Sequence, residues 1–172
     1  MLRIGGRSML ERVLDALATE AGAVAISANG DPSRFAAFGR PVLPDGEFAG
    51  LGPLAGVLAG LDWAAGLGAE ALLTVPGDTP FVRAGLAAAL APAPACAESH
   101  GTRHYLVALW PVVVRSALQV VLSAGGPLAV GQFAAEIGMR PVVFPALPRD
   151  PFLNVNTPEE LAAARAVAED TA

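Results

Sequence analysis

The sequence has no lysine, one cysteine and no long uninterrupted apolar run. The single thiol, Cys96, cannot form an internal disulfide, and without a basic-then-apolar leader this predicts a reducing, cytoplasmic compartment. Apolar stretches fall short of the roughly 20 residues that a bilayer span needs, so a membrane protein is not expected. All 11 basic residues are arginines scattered among 16 acidic ones, which argues against nucleic-acid binding.

The chain has enough apolar residues to form one hydrophobic core. It contains 172 residues, 53% of them hydrophobic. A chain of this length buries roughly 70% of the surface that its unfolded form exposes, so neither a disulfide nor a structural metal is needed. We therefore expect residues 1–172 to form a single domain, since no linker or internal repeat divides them.

Hydrophobic periodicity predicts helices that alternate with strands. Ser8 and Glu11 have capping-box spacing, which predicts a helix over 8–21. The other predicted helices cover 34–38, 53–66, 83–91, 112–123 and 128–137, with a last one that starts at the Thr157 cap. The predicted strands cover 23–26, 41–43, 71–75, 95–96, 106–109 and 141–144. This order indicates an α/β fold with a mostly parallel sheet covered by helices on both faces, and strand 71–75 should be buried on both faces.

Polar residues follow three of these strands, where open α/β sheets bind ligands. They are Asn29, Asp45 and Asp78. Asp78 stands between Gly77 and Pro80, so its carboxylate can face a crevice and bind a Mg²⁺ ion that also contacts substrate phosphates. An Asx-turn or a cap for the next helix is the alternative for Asp78, and an ordinary turn residue is the alternative for Asn29.

Asp45 belongs to a Pro-Asp-Gly turn, whose composition is common on protein surfaces. In a binding site, its carboxylate could accept two N–H bonds from the Watson–Crick edge of guanine, a pattern that adenine does not offer. For the residue taken alone, the surface-turn interpretation is the favoured one.

Two amides, Asn154 and Asn156, alternate onto one face of an extended segment before the Thr157 cap. At a helix start they could hold a phosphate or a polar heterocycle, and the alternative is that they cap nearby loops. His100 and His104 have the spacing of a helical metal pair, but Gly101 argues against a helix, so no zinc site is expected. Cys96 has no nearby base and is interpreted as a buried or unreactive thiol.

Four segments in order resemble one protein family. They are Ile-Ser-Ala-Asn-Gly at 26–30, Asp45 with Gly-Pro-Leu-Ala-Gly at 52–56, Pro-Gly-Asp-Thr-Pro at 76–80, and Asn-Val-Asn-Thr-Pro-Glu-Glu-Leu at 154–161. Together they resemble the molybdenum cofactor guanylyltransferases, also called the molybdopterin-guanine dinucleotide biosynthesis protein A family. These bacterial enzymes join GTP to molybdopterin. The last segment is the most discriminating of the four.

The resemblance implies a Rossmann-like nucleotidyltransferase fold that transfers GMP from GTP to molybdenum-molybdopterin and releases pyrophosphate. By the same resemblance, Asp78 is the catalytic residue that binds Mg²⁺ and GTP, Asp45 and Asn29 contact GTP, and Asn154 and Asn156 face molybdopterin. Ser27 stands where the family has the first asparagine of an Asn-Ala-Asn segment, so it is a further candidate GTP contact. Molybdoenzymes or other proteins of cofactor biosynthesis are possible partners.

The resemblance also implies a front segment that the printed sequence does not contain. The family opens with a strand, a Leu-Ala-Gly-Gly loop, an Arg-Met-Gly piece and an Asp-Lys pair before the part that matches Met1 to Arg7. Relative to the family, the first strand and the phosphate loop are therefore missing. This keeps open a catalytically inert or partner-dependent homologue that binds molybdopterin. A separate alternative within the enzymes is a cytidylyltransferase or other nucleotidyltransferase of the same fold.

Overall fold

The structure is a computed structural model, and it describes residues 3–4, 6–125, 129–145 and 150–154. Its strands are β1 (Arg3–Ile4), β2 (Arg7–Ser8), β3 (Ile26–Ser27), β4 (Val42–Leu43), β5 (Ala71–Thr74), β6 (Ala95–Ser99), β7 (Thr102–Pro111) and β8 (Arg140–Val143). Its helices are α1 (Met9–Ala18), α2 (Pro53–Gly66), α3 (Leu86–Leu90), α4 (Arg115–Ser123) and α5 (Val130–Glu136). Short 3₁₀ segments cover Pro32–Phe38, Gly46–Phe48 and Val112–Val114. None of the helices in these ranges is long and apolar enough to cross a bilayer.

The main sheet has the strand order β5-β7-β6-β8. β7 runs antiparallel to β5 and β6, whereas β6 and β8 are parallel. β5, β6 and β8 therefore share one direction, and the main sheet is mixed, because β7 runs against the strands on both of its sides. Two separate pairs complete the strands, the antiparallel pair β1-β2 and the parallel pair β3-β4.

Helices cover both faces of the main sheet, as predicted. On one face, Cys96, Ala108 and Trp110 pack against α2, α4 and α5. On the other face, the alternating residues Ala95, Ala97 and Val107 pack with residues of α1 and α3. The period-2 alternation of strand side chains divides the core into these two layers.

The start of α1 confirms the capping box. The backbone N of Glu11 donates to Ser8 Oγ, and the Glu11 carboxylate accepts from the backbone N of Ser8. The helix ends at Ala18, so the prediction of residue 21 was wrong. Beyond that end, the Glu20 side chain accepts a hydrogen bond from the backbone N of Ala87 at 2.7 Å, which turns the chain toward α3.

The predicted strand 23–26 was misplaced, because the pairing is at Ile26–Ser27. There the backbone N of Ile26 donates to Pro41 O and the N of Ala28 donates to Leu43 O. In a parallel pair the groups of alternate residues face opposite sides, so those of Ser27 face away from β4. The β3-β4 pair therefore has one edge without a strand partner among the described residues.

β5 matches its prediction to within one residue, but it is half-buried and not buried on both faces. Its ladder within the described residues runs to β7 alone. Between β3 and β5 lies a cleft of about 1370 Å³, lined mostly by apolar side chains from β5, α1 and α2. The open edge and this cleft are the reason that Leu72 and Leu73 retain solvent exposure.

β6 and β7 form a hairpin that is longer than the predicted strands 95–96 and 106–109. His100 and Gly101 connect them, with φ of 48° and 74°. Two successive residues with positive φ fit the twist of a tight hairpin. The polar start of β7, at Thr102–His104, gave no apolar signal, so the strand prediction began too late.

The predicted helix boundaries were also too wide elsewhere. Helix 83–91 shortens to Leu86–Leu90, because Gly85 adopts a φ of 90° immediately before it. The segment predicted as helix 112–123 begins with a 3₁₀ turn before α4. The helix predicted over 128–137 covers Val130–Glu136, and Leu128 lies outside the described residues. The helix predicted to start at Thr157 also lies outside them. The predictions over 34–38 and 53–66 are confirmed, the first as 3₁₀ helix.

Candidate active site

Two candidate residues meet at the ends of β3 and β4. Asn29 Nδ2 donates to Asp45 Oδ2 at 2.6 Å, and the backbone N of Asp45 donates to Asn29 Oδ1 at 2.9 Å. Because a parallel pair brings its carboxyl ends together, two residues that are 16 positions apart become direct partners. The pair fixes the direction of the amide and presents the carboxylate at the rim of the cleft.

Ser27 belongs to the same group. A Cβ placed on Gly56 of α2 would lie 2.7 Å from Ser27 Oγ and 3.4 Å from Asp45 Oδ1. Real Cβ atoms essentially never approach another atom to 2.7 Å, so a side chain at this point of the helix requires Ser27 Oγ or the backbone to move. The structure thus assigns Gly56 a role that its place in a Gly-Pro-Leu-Ala-Gly loop sequence did not show: it lets α2 pack against the polar group of Ser27 and Asp45.

Asp78 lies in the turn that follows β5, next to Gly77, which lines the cleft. The neighbouring Thr79 is 1% exposed, and its Oγ1 donates to Pro76 O at 2.7 Å, which fixes the turn. Asp78 Oδ1 is buried and has no hydrogen-bond partner among the described residues. A carboxylate oxygen removed from water without a partner is costly unless a cation or a donor approaches it. A hard cation is therefore one kind of group that this oxygen fits.

Asn154 is exposed at the end of a short turn, and Asn156 lies outside the described residues. The backbone N of Phe152 donates to Asp150 Oδ1 at 2.9 Å within this turn. β5, β6 and β8 share one direction, so the turn after β8 lies at the same sheet edge as the turn after β5. Asn154 and Asp78 therefore both follow strands that run in the common direction, with β5 ending opposite Ala108 of β7 and β6 ending opposite Thr102.

Cys96 and the histidines lie outside this arrangement. Cys96 is fully buried in β6, and burial raises the pKa of its thiol, which agrees with the interpretation of an unreactive side chain. His100 is at the tip of the β6-β7 hairpin and His104 is on β7. The part of the chain that the structure describes contains no group of three or more potential metal-ligating side chains.

Comparison with known proteins shows which family the chain belongs to. The model of the MobA-like NTP transferase domain matches residues 1–137. The molybdenum cofactor guanylyltransferase of Acidiphilium cryptum (strain JF-5) is 56% identical over 166 residues, which is 96% of this chain and 84% of that protein. The chain belongs to the molybdenum cofactor guanylyltransferase family. It is accordingly a nucleotidyltransferase of molybdenum-cofactor biosynthesis.

Other relatives agree. The molybdenum cofactor guanylyltransferase of Rhodobacter capsulatus is 48% identical over 171 residues, covering 95% of this chain and 84% of that protein. Among solved structures, molybdopterin-guanine dinucleotide biosynthesis protein A from Archaeoglobus fulgidus has a TM-score of 0.73 at 16% identity, covering 98% of this chain and 89% of that one. A 2-C-methyl-D-erythritol 4-phosphate cytidylyltransferase from Thermus thermophilus has a TM-score of 0.63 at 18% identity, covering 97% and 92%. These two structures support the nucleotidyltransferase fold that the sequence predicts.

Proposed function

We propose that this guanylyltransferase transfers GMP from GTP to the phosphate of molybdenum-molybdopterin. A phosphate oxygen of molybdopterin forms a bond to the α-phosphorus of GTP, the bond from that phosphorus to the bridging oxygen breaks, and pyrophosphate leaves. The observation that carries the proposal is the meeting of the Asn29–Asp45 pair with the Asp78 turn around one cleft. Such chemistry depends on positioning and electrostatics more than on covalent help from the protein.

Asp78 fits a Mg²⁺ ion. The ion prefers hard oxygen donors, and it commonly uses one or two carboxylates together with phosphate oxygens and water. Asp78 Oδ1 is such a donor, already buried and without a hydrogen bond. When bound, the ion would supply positive charge beside the phosphates. The role of Asp78 is to hold it on the rigid turn after β5.

Asp45, Asn29 and Ser27 fit the nucleotide. A carboxylate only accepts hydrogen bonds. Guanine donates two from its Watson–Crick edge, one from N1–H and one from the amino group. The two hydrogen bonds between Asn29 and Asp45 hold the carboxylate in one orientation, which reduces the conformational entropy lost when a base binds. Ser27 Oγ, close to Gly56, adds a hydroxyl at the same rim.

Asn154 and Asn156 fit the second substrate. Asn154, like Asp78, follows a strand of the main sheet that runs in the common direction, and its exposed amide can donate to phosphate and bond to a pterin ring. On this proposal the molybdopterin phosphate reaches the α-phosphorus of GTP from the Asn154 side.

Competition between GTP and CTP tests the assignment of the base. We expect the parent protein, supplied with Mg²⁺ and molybdenum-molybdopterin, to incorporate GMP in preference to CMP. Asp45→Asn should lose most of that preference, since an amide replaces one acceptor with a donor. Glu136→Gln, on the exposed face of α5, is the matched control and should keep it. Preferential incorporation of CMP by the parent would make the protein a cytidylyltransferase.

The inert alternative makes a different prediction. A homologue without transfer activity would bind molybdopterin but would show no Mg²⁺-dependent binding of GTP. Calorimetric titration of the parent with GTP, with and without Mg²⁺, distinguishes the two. We expect the ion to strengthen GTP binding, and Asp78→Asn to remove that effect.

A further inference from the structure

A buried polar cluster lies beside the turn that carries Asn154. Ser99, at the end of β6, is 1% exposed. Its Oγ lies 2.7 Å from His104 Nε2 and 2.9 and 3.0 Å from the two carboxylate oxygens of Asp150. The three residues come from both strands of the β6-β7 hairpin and from the turn after β8.

The hydrogen bonds in this cluster have one consistent direction. A serine hydroxyl carries one hydrogen and a carboxylate only accepts, so Ser99 donates to Asp150. Ser99 Oγ then accepts from His104 Nε2–H, which defines the tautomer of the ring. Burial lowers the pKa of His104, which favours this neutral form. The result is a hydrogen-bonded chain in which His104 donates to Ser99 and Ser99 donates to Asp150.

Asp150 connects the cluster to the backbone of the turn. Its Oδ1 also accepts from the backbone N of Phe152 at 2.9 Å. Phe152 is 2% exposed, with its ring 5.1 Å from the ring of His104 and 5.1 Å from that of Phe144. His104 therefore holds the turn twice, through the hydrogen-bonded chain and through the ring contact. Asn154 follows two residues after Phe152, so its backbone continues from a turn that these contacts hold in place.

We propose that His104 is a positioning residue for the molybdopterin side of the site: through Ser99 and Asp150 it fixes the turn that presents Asn154. The inference rests on the proposed function, because that proposal assigns Asn154 to molybdopterin. It adds a residue 50 positions away in the chain that controls the affinity for one substrate and leaves the affinity for the other unchanged. Among the described residues, no hydrogen bond or ring contact joins this cluster to Asn29 or Asp45, so GTP binding should be independent of it.

Equilibrium binding tests the inference without requiring turnover. We expect His104→Ala to raise the Kd for molybdenum-molybdopterin roughly tenfold, which corresponds to about 1.4 kcal/mol, and to leave the Kd for GTP within about twofold. His104→Gln keeps an N–H donor that can reach Ser99, so it should restore most of the affinity. Arg103→Gln is the control on the neighbouring position of β7, where an exposed pair with Glu98 is lost. It should change neither Kd.

Hydrogen exchange at the backbone N–H of Phe152 supplies a second measurement. Exchange should be faster in His104→Ala than in the parent and should slow again in His104→Gln. Faster exchange with an unchanged molybdopterin Kd would overturn the inference, and so would equal losses for both substrates or a failure of His104→Gln to restore binding.

The proposed function can fail separately. A parent that binds molybdopterin but transfers no GMP would refute the transfer, and the Kd values of the variants would still decide the role of His104. A parent that binds no molybdopterin would overturn the inference as well.

Discussion

Asn29 and Asp45 hold each other through two hydrogen bonds, from Asn29 Nδ2 to Asp45 Oδ2 and from the backbone N of Asp45 to Asn29 Oδ1. The amide neutralises no charge, but it orients the carboxylate that the proposal assigns to guanine. Each residue lies at the end of a two-residue strand, so neither position is rigid without the other. Their pairing joins the ends of β3 and β4 into one rim of the cleft.

Replacing Asn29 should weaken GTP binding in a graded way. Asn29→Ala removes the orienting bonds, and Asn29→Asp also places a second carboxylate against Asp45, which repels both it and the phosphates. We expect about a tenfold loss of GTP affinity for the first and a larger loss for the second. Calorimetry gives both Kd values, with Gln132→Glu on α5 as a control for added charge. Equal affinity in Asn29→Asp and the parent would contradict the assignment.

The close approach at Gly56 predicts a steric effect within one helix. Gly56→Ala brings a methyl group to 2.7 Å from Ser27 Oγ, so the Ser27 side chain must rotate away or α2 or β3 must shift. Gly66→Ala, in the same helix, meets nothing within 4 Å and is the matched control. We expect Gly56→Ala to weaken GTP binding and lower the melting temperature, as overpacking commonly costs about 1–3 kcal/mol.

Gly66→Ala should leave the melting temperature equal or slightly higher, because alanine favours helix. If the two variants bind GTP equally well, Ser27 and Asp45 are not held by α2 in the way the geometry indicates.

The sequence predicted the local features of this fold well. Ser8 and Glu11 marked the start of α1 through contacts three residues apart, and the bounds of α2 followed from Pro53 and the glycine at position 66. Such signals act between neighbours in the chain, so they can be read from it. The positions of Asn29, Asp45 and Asp78 after strands were likewise visible, and in the structure Asn29 and Asp45 follow β3 and β4 and Asp78 follows β5.

What the sequence could not show were contacts between distant positions. Ser99 and Asp150 are 51 residues apart, and no periodicity connects them. From the sequence, His104 was considered only as one half of a metal-binding pair with His100, yet its contacts are with Ser99 and Phe152. The strand that contains it begins with polar residues, so the hairpin that creates the cluster was not foreseen.

The cleft between β3 and β5 predicts that the chain binds a hydrophobic dye. It holds about 1370 Å³ between apolar walls, and the two strand edges that border it have no partner among the described residues. Exposed apolar surface of this extent is what 1-anilinonaphthalene-8-sulfonate detects. We expect Leu14→Gln, in the cleft wall, to lower the dye fluorescence. Val120→Gln, 69% exposed on α4 and outside the cleft, should leave it unchanged, and equal effects would contradict this description.

His104 predicts a pH dependence of stability. Burial lowers its pKa in the folded protein, with a smaller opposing effect of Asp150. The unfolded chain then binds more protons just below the ordinary histidine pKa of about 6.5, so the free energy of unfolding falls as the pH drops through that range. In urea unfolding at pH 7.5 and 5.5, we expect the parent to lose more stability than His104→Gln. A pH-independent difference between the two proteins would contradict the lowered pKa.

The rate of GMP transfer by Asp78→Ala is the measurement that tests the central claim most directly. Parent and variant would be supplied with GTP, Mg²⁺ and molybdenum-molybdopterin, and the guanine dinucleotide product would be quantified by mass spectrometry. Because Asp78 is assigned to the metal at the phosphates, we expect the variant to lose at least 100-fold in rate, on the order of 3 kcal/mol. The Glu136→Gln control should keep the parent rate. Transfer by Asp78→Ala at the parent rate would contradict the account.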